Sequence, residues 1–284
     1  MAQASPLSSS SSRLGEWYDT ASAVVAKAFN GHLHMGYWTS STTTLAEAAE
    51  AMTDQLIART PVKAGQRVLD VGSGTGRPAL RLARATGAQV LGISLSQAET
   101  DRANALAGAD PPPPPGGTRF ERADVMALPY PPDSFDAVWA VESLAHVTDR
   151  AEALRQIARV LRPGGRLVLA DGFLRSAADR DDTAVTTAHT TFFIAPVITL
   201  AAFTHLLRNA GLPPTTITDA TDHARRSMTA WAAVVRDHPA DYIPLFGETG
   251  FRQLLECWAR ENDLCDVIGY VLLTARRTAT PRVE

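Results

Sequence analysis

The chain of 284 residues is short of cysteine, of clustered positive charge and of long apolar runs, and each shortage narrows what it can be. Two cysteines, Cys257 and Cys265, are too few for a disulfide framework, and their spacing fits no usual zinc site. A formal net charge of −3 without a lysine or arginine cluster argues against nucleic acid, whose affinity for proteins comes largely from neutralised phosphates. The longest apolar stretch, FFIAPVITLAAF over 192–203, falls short of the ~20 residues that a membrane span needs. The opening MAQASPLSSSSSR has no basic region followed by an apolar core, so no targeting peptide is expected and the cytoplasm is the expected location. The acidic run DRDD, 179–182, has no second cluster to match it and reads as a solvated helix start, so no metal is expected. What remains is a small-molecule partner, with no nucleic acid and no membrane; homo-oligomerisation stays open.

What is present is concentrated in VLDVGSGTGRPALRLA, residues 68–83. Val68, Leu69 and Val71 are the apolar run of a strand covered on both faces, interrupted by Asp70. Gly72, Gly74 and Gly76 follow at every second position, which lets the backbone turn sharply and carry no side chain toward a bound molecule. Pro78 suits the first turn of the helix that comes next. Two ligands fit such a turn, a dinucleotide and S-adenosylmethionine (SAM). The dinucleotide site wants G-x-G-x-x-G, whereas here the order is G-S-G-T-G with an aspartate two residues ahead.

Around this turn, strands are expected near 67–71, 89–93, 118–121, 135–140 and 166–171, with helices between them. The alternation implies a parallel sheet with helices on both faces and ligands at the carboxyl ends of its strands. ADPPPPPGGT (109–118) reads as a stiff surface connection, and RPGGR (162–166) as a helix stop and a turn into the fifth strand. Before the core, residues 1–13 read as a disordered tail and 14–60 as a helical lid, with helices over 16–29 and 42–60 flanking the aromatic HLHMGYW (32–38). The core spans 61–175. A mainly helical cap over 176–262 includes one strand near 215–221, and a final strand over 268–276 lies within 263–284. The cap's apolar part, with Phe192, Phe193, Ile194, Val197 and Ile198, points to an apolar acceptor, and a cap helix packed on the core gives the same composition.

The chain resembles the class I SAM-dependent methyltransferases, whose first motif has the form V-L-D-x-G-x-G-x-G. GISLSQ (92–97), ADVMALPYPPDSFDAVWAVESLAHV (123–147) and IARVLRPGGRLVLAD (157–171) resemble later segments of that family, in order and at the right intervals. HLHMGYW resembles the small-molecule branch that includes rebeccamycin-type sugar O-methyltransferases, sarcosine and tocopherol methyltransferases and mycolic acid cyclopropane synthases. The resemblance covers roughly residues 14–175. It implies a Rossmann-like, seven-stranded, mostly parallel α/β sheet with an antiparallel last strand and a helical cap, SAM as cofactor and S-adenosylhomocysteine (SAH) as product.

The resemblance also implies roles for individual residues. Asp70 would face the methionine ammonium of SAM, and Gly72 and Gly74 would let the backbone approach it. Ser94 and Gln97 would hold the ribose in place of the usual acid, Asp124 the adenine amino group and Val125 the ring. The backbone at Val141 would border the methionine end. Tyr37 and Trp38 would shield the cofactor from the lid. For chemistry, His146 would take the proton of an acceptor hydroxyl, an imidazole's ordinary pKa of about 6.5 being suited to that task. Rebeccamycin-type enzymes carry two adjacent histidines here, and the first of them is Ala145 in this chain. Asp171, Glu142 and Tyr18 are the other candidates, to orient His146, bind substrate or hold a developing cation. The remaining His189, His205, His223 and His238 read as packing or surface. The expected activity is O-methylation of a small, largely apolar secondary metabolite. C-methylation of a prenyl or activated-carbon acceptor, a non-methylating cyclase on the same scaffold and a non-catalytic SAM-binding protein are the alternatives.

Overall fold

In the computed structural model, which describes residues 9–192, 194–259 and 263–278, seven strands form one sheet in the order β3-β2-β1-β4-β5-β7-β6. In chain order the elements are α1 (Ser9–Ala28), α2 (Leu45–Ala58), β1 (Arg67–Val71), α3 (Arg77–Thr86), β2 (Gln89–Ser94), α4 (Gln97–Ala109), β3 (Gly117–Arg122), β4 (Phe135–Val141), α5 (Arg150–Val160) and β5 (Leu161–Leu174). There follow α6 (Thr183–Phe192), α7 (Leu200–Asn209), β6 (Pro214–Asp219), α8 (Thr221–Asp237), α9 (Pro239–Ala259), α10 (Asp263–Val267) and β7 (Ile268–Arg276). The first five strands run parallel, and β7 inserts antiparallel between β5 and β6.

Strand periodicity accounts for the two layers. Leu69, Val71, Val138 and Leu167 join one apolar cluster with Leu154 and Ile157 of α5, while Val68, Trp139 and Val168 join another with Met52 and Leu56 of α2. Residues of one strand thus alternate between clusters, as a sheet covered on both faces requires. Because the parallel strands share a direction, their carboxyl ends, at Val71, Ser94 and Val141, meet on one edge of the sheet.

Some boundaries differ from the sequence reading. Helix α1 begins at Ser9, inside the stretch read as a tail; residues 1–8 and 279–284 lie outside the described residues. RPGG does not precede β5 but lies within it as an irregularity, between the Phe135–Leu161 and Ala137–Arg166 pairings, with Gly164 at φ 77°. Phe193 lies outside the described residues, as do the side chains of Phe192 and Cys257, whereas Cys265 is free and buried.

The segment between α1 and α2 is pinned to the cap. The Gly36 amide and the Trp38 indole N–H both donate to Ser227 Oγ of α8 (2.9 Å each), and the Trp38 amide donates to His223 Nδ1 (2.9 Å). On the other side α1 lies on the β2–α4 turn. Asp19 accepts from Ser96 Oγ and from the Ala98 amide, and Arg102 donates to Ser22 Oγ at 2.7 Å. Gly15 allows the approach, since a Cβ there would sit 2.8 Å from the Leu95 carbonyl oxygen.

Trp139 joins the core to α2. It is fully buried on β4, and its indole N–H donates to Thr60 Oγ1 at 2.6 Å. Trp139→Ala should destabilise the protein by about 3–5 kcal/mol in urea unfolding, the range for truncating a large buried aromatic.

Candidate active site

Two adjoining cavities open at the carboxyl edge of the sheet. The first is floored by the glycine turn. Gly72 and Gly74 adopt φ of 73° and 50°, in the left-handed region that favours glycine. A Cβ on Gly72 would lie 2.5 Å from Ser143 Cβ, and one on Gly74 2.8 Å from Leu33 Cδ1, so side chains there would clash with the cavity's own wall. Ser94, Asp124, Val125 and Val141 line the same space, brought together from the ends of β2, β3 and β4. Asp70 sits just beneath, in a small cleft shared with Gly72, Gly74 and Val141. It is 3 % exposed, and burial lifts its carboxyl to about 7.

One residue of this cavity escapes the sequence reading. Ser96 caps α4 by accepting the Glu99 amide, and so Ser94 Oγ is left to donate to Glu99 Oε2 at 2.6 Å. Glu99 is buried in the first turn of α4 and faces the cavity, while Gln97 points to solvent and bonds Asp101 at 2.8 Å. Helical geometry turns Gln97 outward and brings round the residue two positions later. The available signal was an acid at the third helical position directly after a serine cap. Glu99 Oε1 and Ser143 Oγ are buried and have no hydrogen-bond partner among the described residues, and both belong to residues lining this cavity. Unpaired buried oxygens are costly, and a polar ligand would satisfy them.

The second cavity is walled mainly by apolar side chains from α1, β5, the cap and β7, among them Val25, Phe173, Ile194, Val197, Phe203 and Trp231. Its polar groups gather where it meets the first. Tyr18, Glu142 and His146 line both spaces, and Tyr18 Oη lies 2.9 Å from His146 Nε2. Burial, with Glu99, Glu142 and Asp171 nearby, raises the Tyr18 hydroxyl far above its ordinary range, so it stays a neutral phenol. Glu142 follows β4 in an αL conformation, φ 49°, uncommon for a residue with a side chain. Its Oε1 accepts from the Met35 amide and from the Tyr270 hydroxyl, each at 2.6 Å, and burial raises it to about 7. Asp171 is raised to about 6 by burial. Its oxygens accept the amides of Ala145 (3.0 Å) and Gly172 (2.8 Å), so it holds the backbone beside His146.

Tyr37 and Trp38 do not line either cavity. Tyr37 stacks on His223 with ring centroids 3.9 Å apart, and Trp38 is buried against α8 with Arg226 over its ring. Leu33, His34 and Met35 of the same segment line the cavities in their place. His189, read as packing, lines the glycine-turn cavity with its Nδ1 bonded to the Ile194 carbonyl at 2.8 Å.

A glycine turn, two unpaired oxygens and a buried acid beneath them fit a ligand carrying hydroxyls and an ammonium, and SAM carries both. Residues 69–169 match a methyltransferase domain family. Methyltransferase GfsG of Streptomyces halstedii is 40 % identical over 93 % of this chain and 94 % of its own length. The 27-O-demethylrifamycin SV methyltransferase of Amycolatopsis mediterranei is 39 % identical over 93 % and 96 %. Among solved structures, the [4+2]-cyclase SpnF superposes with a TM-score of 0.82 at 29 % identity, covering 98 % of this chain and 100 % of that one. Mycolic acid cyclopropane synthase CmaA1 complexed with SAH gives 0.83 at 16 % identity, covering 95 % and 99 %, and shows the shared fold. The chain therefore belongs to the class I SAM-dependent methyltransferases, in their small-molecule, natural-product branch.

Proposed function

We propose that the protein transfers a methyl group to a hydroxyl of a small, largely apolar secondary metabolite, with His146 as general base. The observation that carries this is the Tyr18–His146 hydrogen bond at the junction of the glycine-turn cavity and the apolar one. Bound SAM supplies an electrophilic methyl on a sulfonium. Asp70 would take its ammonium, Glu99 with Ser94 the ribose hydroxyls, Asp124 the adenine amino group and Val125 the ring, with the backbone of Gly72, Gly74 and Val141 alongside.

The acceptor enters the apolar cavity and presents its hydroxyl to His146 Nε2, replacing Tyr18 there. His146 removes the proton as the oxygen attacks in line, and alignment supplies the rest of the acceleration. Asp171, by accepting the Ala145 amide, would hold the backbone that carries His146. Residues of α1 and the segment around Ile194 wall both cavities from outside. The named rifamycin relative is an O-methyltransferase, which agrees with oxygen as the acceptor atom.

A second reading keeps the scaffold without the transfer. The SpnF neighbour is a cyclase and matches nearly the whole chain, and an apolar cavity shaped around a flexible substrate serves cyclisation equally well. Isotope separates the two. With methyl-labelled SAM and a panel of hydroxylated polyketides including 27-O-demethylrifamycin SV, label in the product is expected; conversion without label would establish the cyclase.

Given a methylated product, His146→Gln should lower kcat by about 10²–10⁴-fold. SAH affinity in calorimetry should stay within about threefold of wild type, because no cofactor contact is assigned to the imidazole. A kcat within twofold of wild type would remove His146 from the base role.

The raised Asp70 carboxyl gives a pH signature. In the free protein it holds its proton up to about pH 7, whereas a bound ammonium favours the carboxylate and lowers its pKa. SAH binding therefore releases a proton below pH 7 and weakens as pH falls. Affinity at pH 6 should be about tenfold below that at pH 8. Asp70→Asn should bind more weakly at pH 8 and lose most of this dependence; an unchanged slope would place the ammonium elsewhere.

A further inference from the structure

Arg150 occupies a position that helix electrostatics disfavour. It is the first residue of α5, where the partial positive charge of a helix N-terminus repels a cation. Among the described residues it engages no carboxylate within ion-pair distance. Its fork goes instead to backbone carbonyls: Nε donates to Leu144 O (3.1 Å), Nη2 to Ala145 O (3.0 Å) and Ala195 O (3.4 Å), and Nη1 to Pro196 O (2.9 Å). Two of these belong to the short helical turn Leu144–His146, and two to the cap segment between α6 and α7. The Ala195 amide adds a direct bond to Ala145 O at 2.8 Å.

The joined pieces are the ones that face both cavities. His146 and Ile194 line each of them, Ala195 lines the glycine-turn side and Val197 the apolar side. We propose that Arg150 is a positioning residue: it locks the turn carrying His146 to the cap segment 194–197, so that the imidazole and the wall of the acceptor cavity keep one fixed relation. Only a planar guanidinium with separated donors spans carbonyls from two segments; a lysine ammonium delivers its donors from one point. Asp171 lies near enough to offset the charge while its oxygens bond the amides of Ala145 and Gly172, so the carboxylate and the guanidinium brace the same turn through opposite backbone groups.

The idea rests on His146 as the base, and its test needs no acceptor. The full-length protein is labelled with 15N-histidine, saturated with SAH, and its ring nitrogens are followed by NMR across pH, with His146 assigned by its loss in His146→Gln. The wild type should show a single His146 tautomer with one titration. Arg150→Gln and Arg150→Lys should both bind SAH within about threefold of wild type. In both, the His146 signal should change to a mixture of tautomers with a shifted midpoint. A wild-type His146 signal in Arg150→Lys would overturn the proposal and leave Arg150 as the counter-charge of Asp171. An unchanged signal in Arg150→Gln would overturn it altogether. Should Arg150→Gln fail to fold, the lysine variant decides alone. Absence of label in the methyl-transfer assay would sink the proposed function and leave this readout intact, which separates the two failures.

Discussion

The ends of adjacent parallel strands gather acids and hydroxyls where water is scarce, and the rest of the structure answers to that crowding. Asp70 on β1, Ser94 on β2, Glu142 after β4 and Asp171 on β5 come from strands hydrogen-bonded side by side. A buried carboxylate without partners is expensive, so each either keeps its proton or is given amides and hydroxyls. Glu142 receives the Met35 amide and the phenol of Tyr270 on the antiparallel strand, and Asp171 receives the amides of Gly172 and Ala145. Asp70, lifted mainly by burial, has the most to gain from an ammonium.

The segment before α2, with α1 and α8, is therefore part of the electrostatic solution. The Met35 amide reaches Glu142 because Gly36 and Trp38 are fastened to α8, and Tyr18 reaches His146 because the adjacent Asp19 is fastened to the start of α4. The same α4 start presents Glu99 to the neighbouring cavity, so the two cavities share a wall whose outer side is clamped by α1.

The core was legible in the sequence because its signals are local: β-branched runs, a glycine turn at alternate positions and helices between strands place β1 to β4 almost residue by residue, whereas β5 runs from Leu161 to Leu174, well beyond the expected 166–171. Residues at strand ends, such as Ser94, Asp124 and Val141, inherit their placement from that pattern. What failed was orientation within irregular or helical segments. Gln97 and Glu99 differ by two positions, and only the helix phase shows which turns inward. Tyr37 and Trp38 look like cofactor aromatics until Ser227 and His223, almost two hundred residues later, claim them. Arg150 carries no local mark, since its partners are carbonyls that any sequence supplies.

Tyr270 gives the fold a temporal order. The strand that carries it is the last to leave the ribosome among the seven, yet it lies between β5 and β6 and supplies the hydroxyl that Glu142 accepts. During synthesis the glycine turn and the five parallel strands can assemble, but Glu142 lacks its phenol partner, β5 has one open edge and β6 waits unpaired. A chain interrupted before β7 would hold much of the glycine-turn cavity while the apolar cavity lacked Ile268 and Tyr270, so the emergence of β7 and the completion of that cavity are one event.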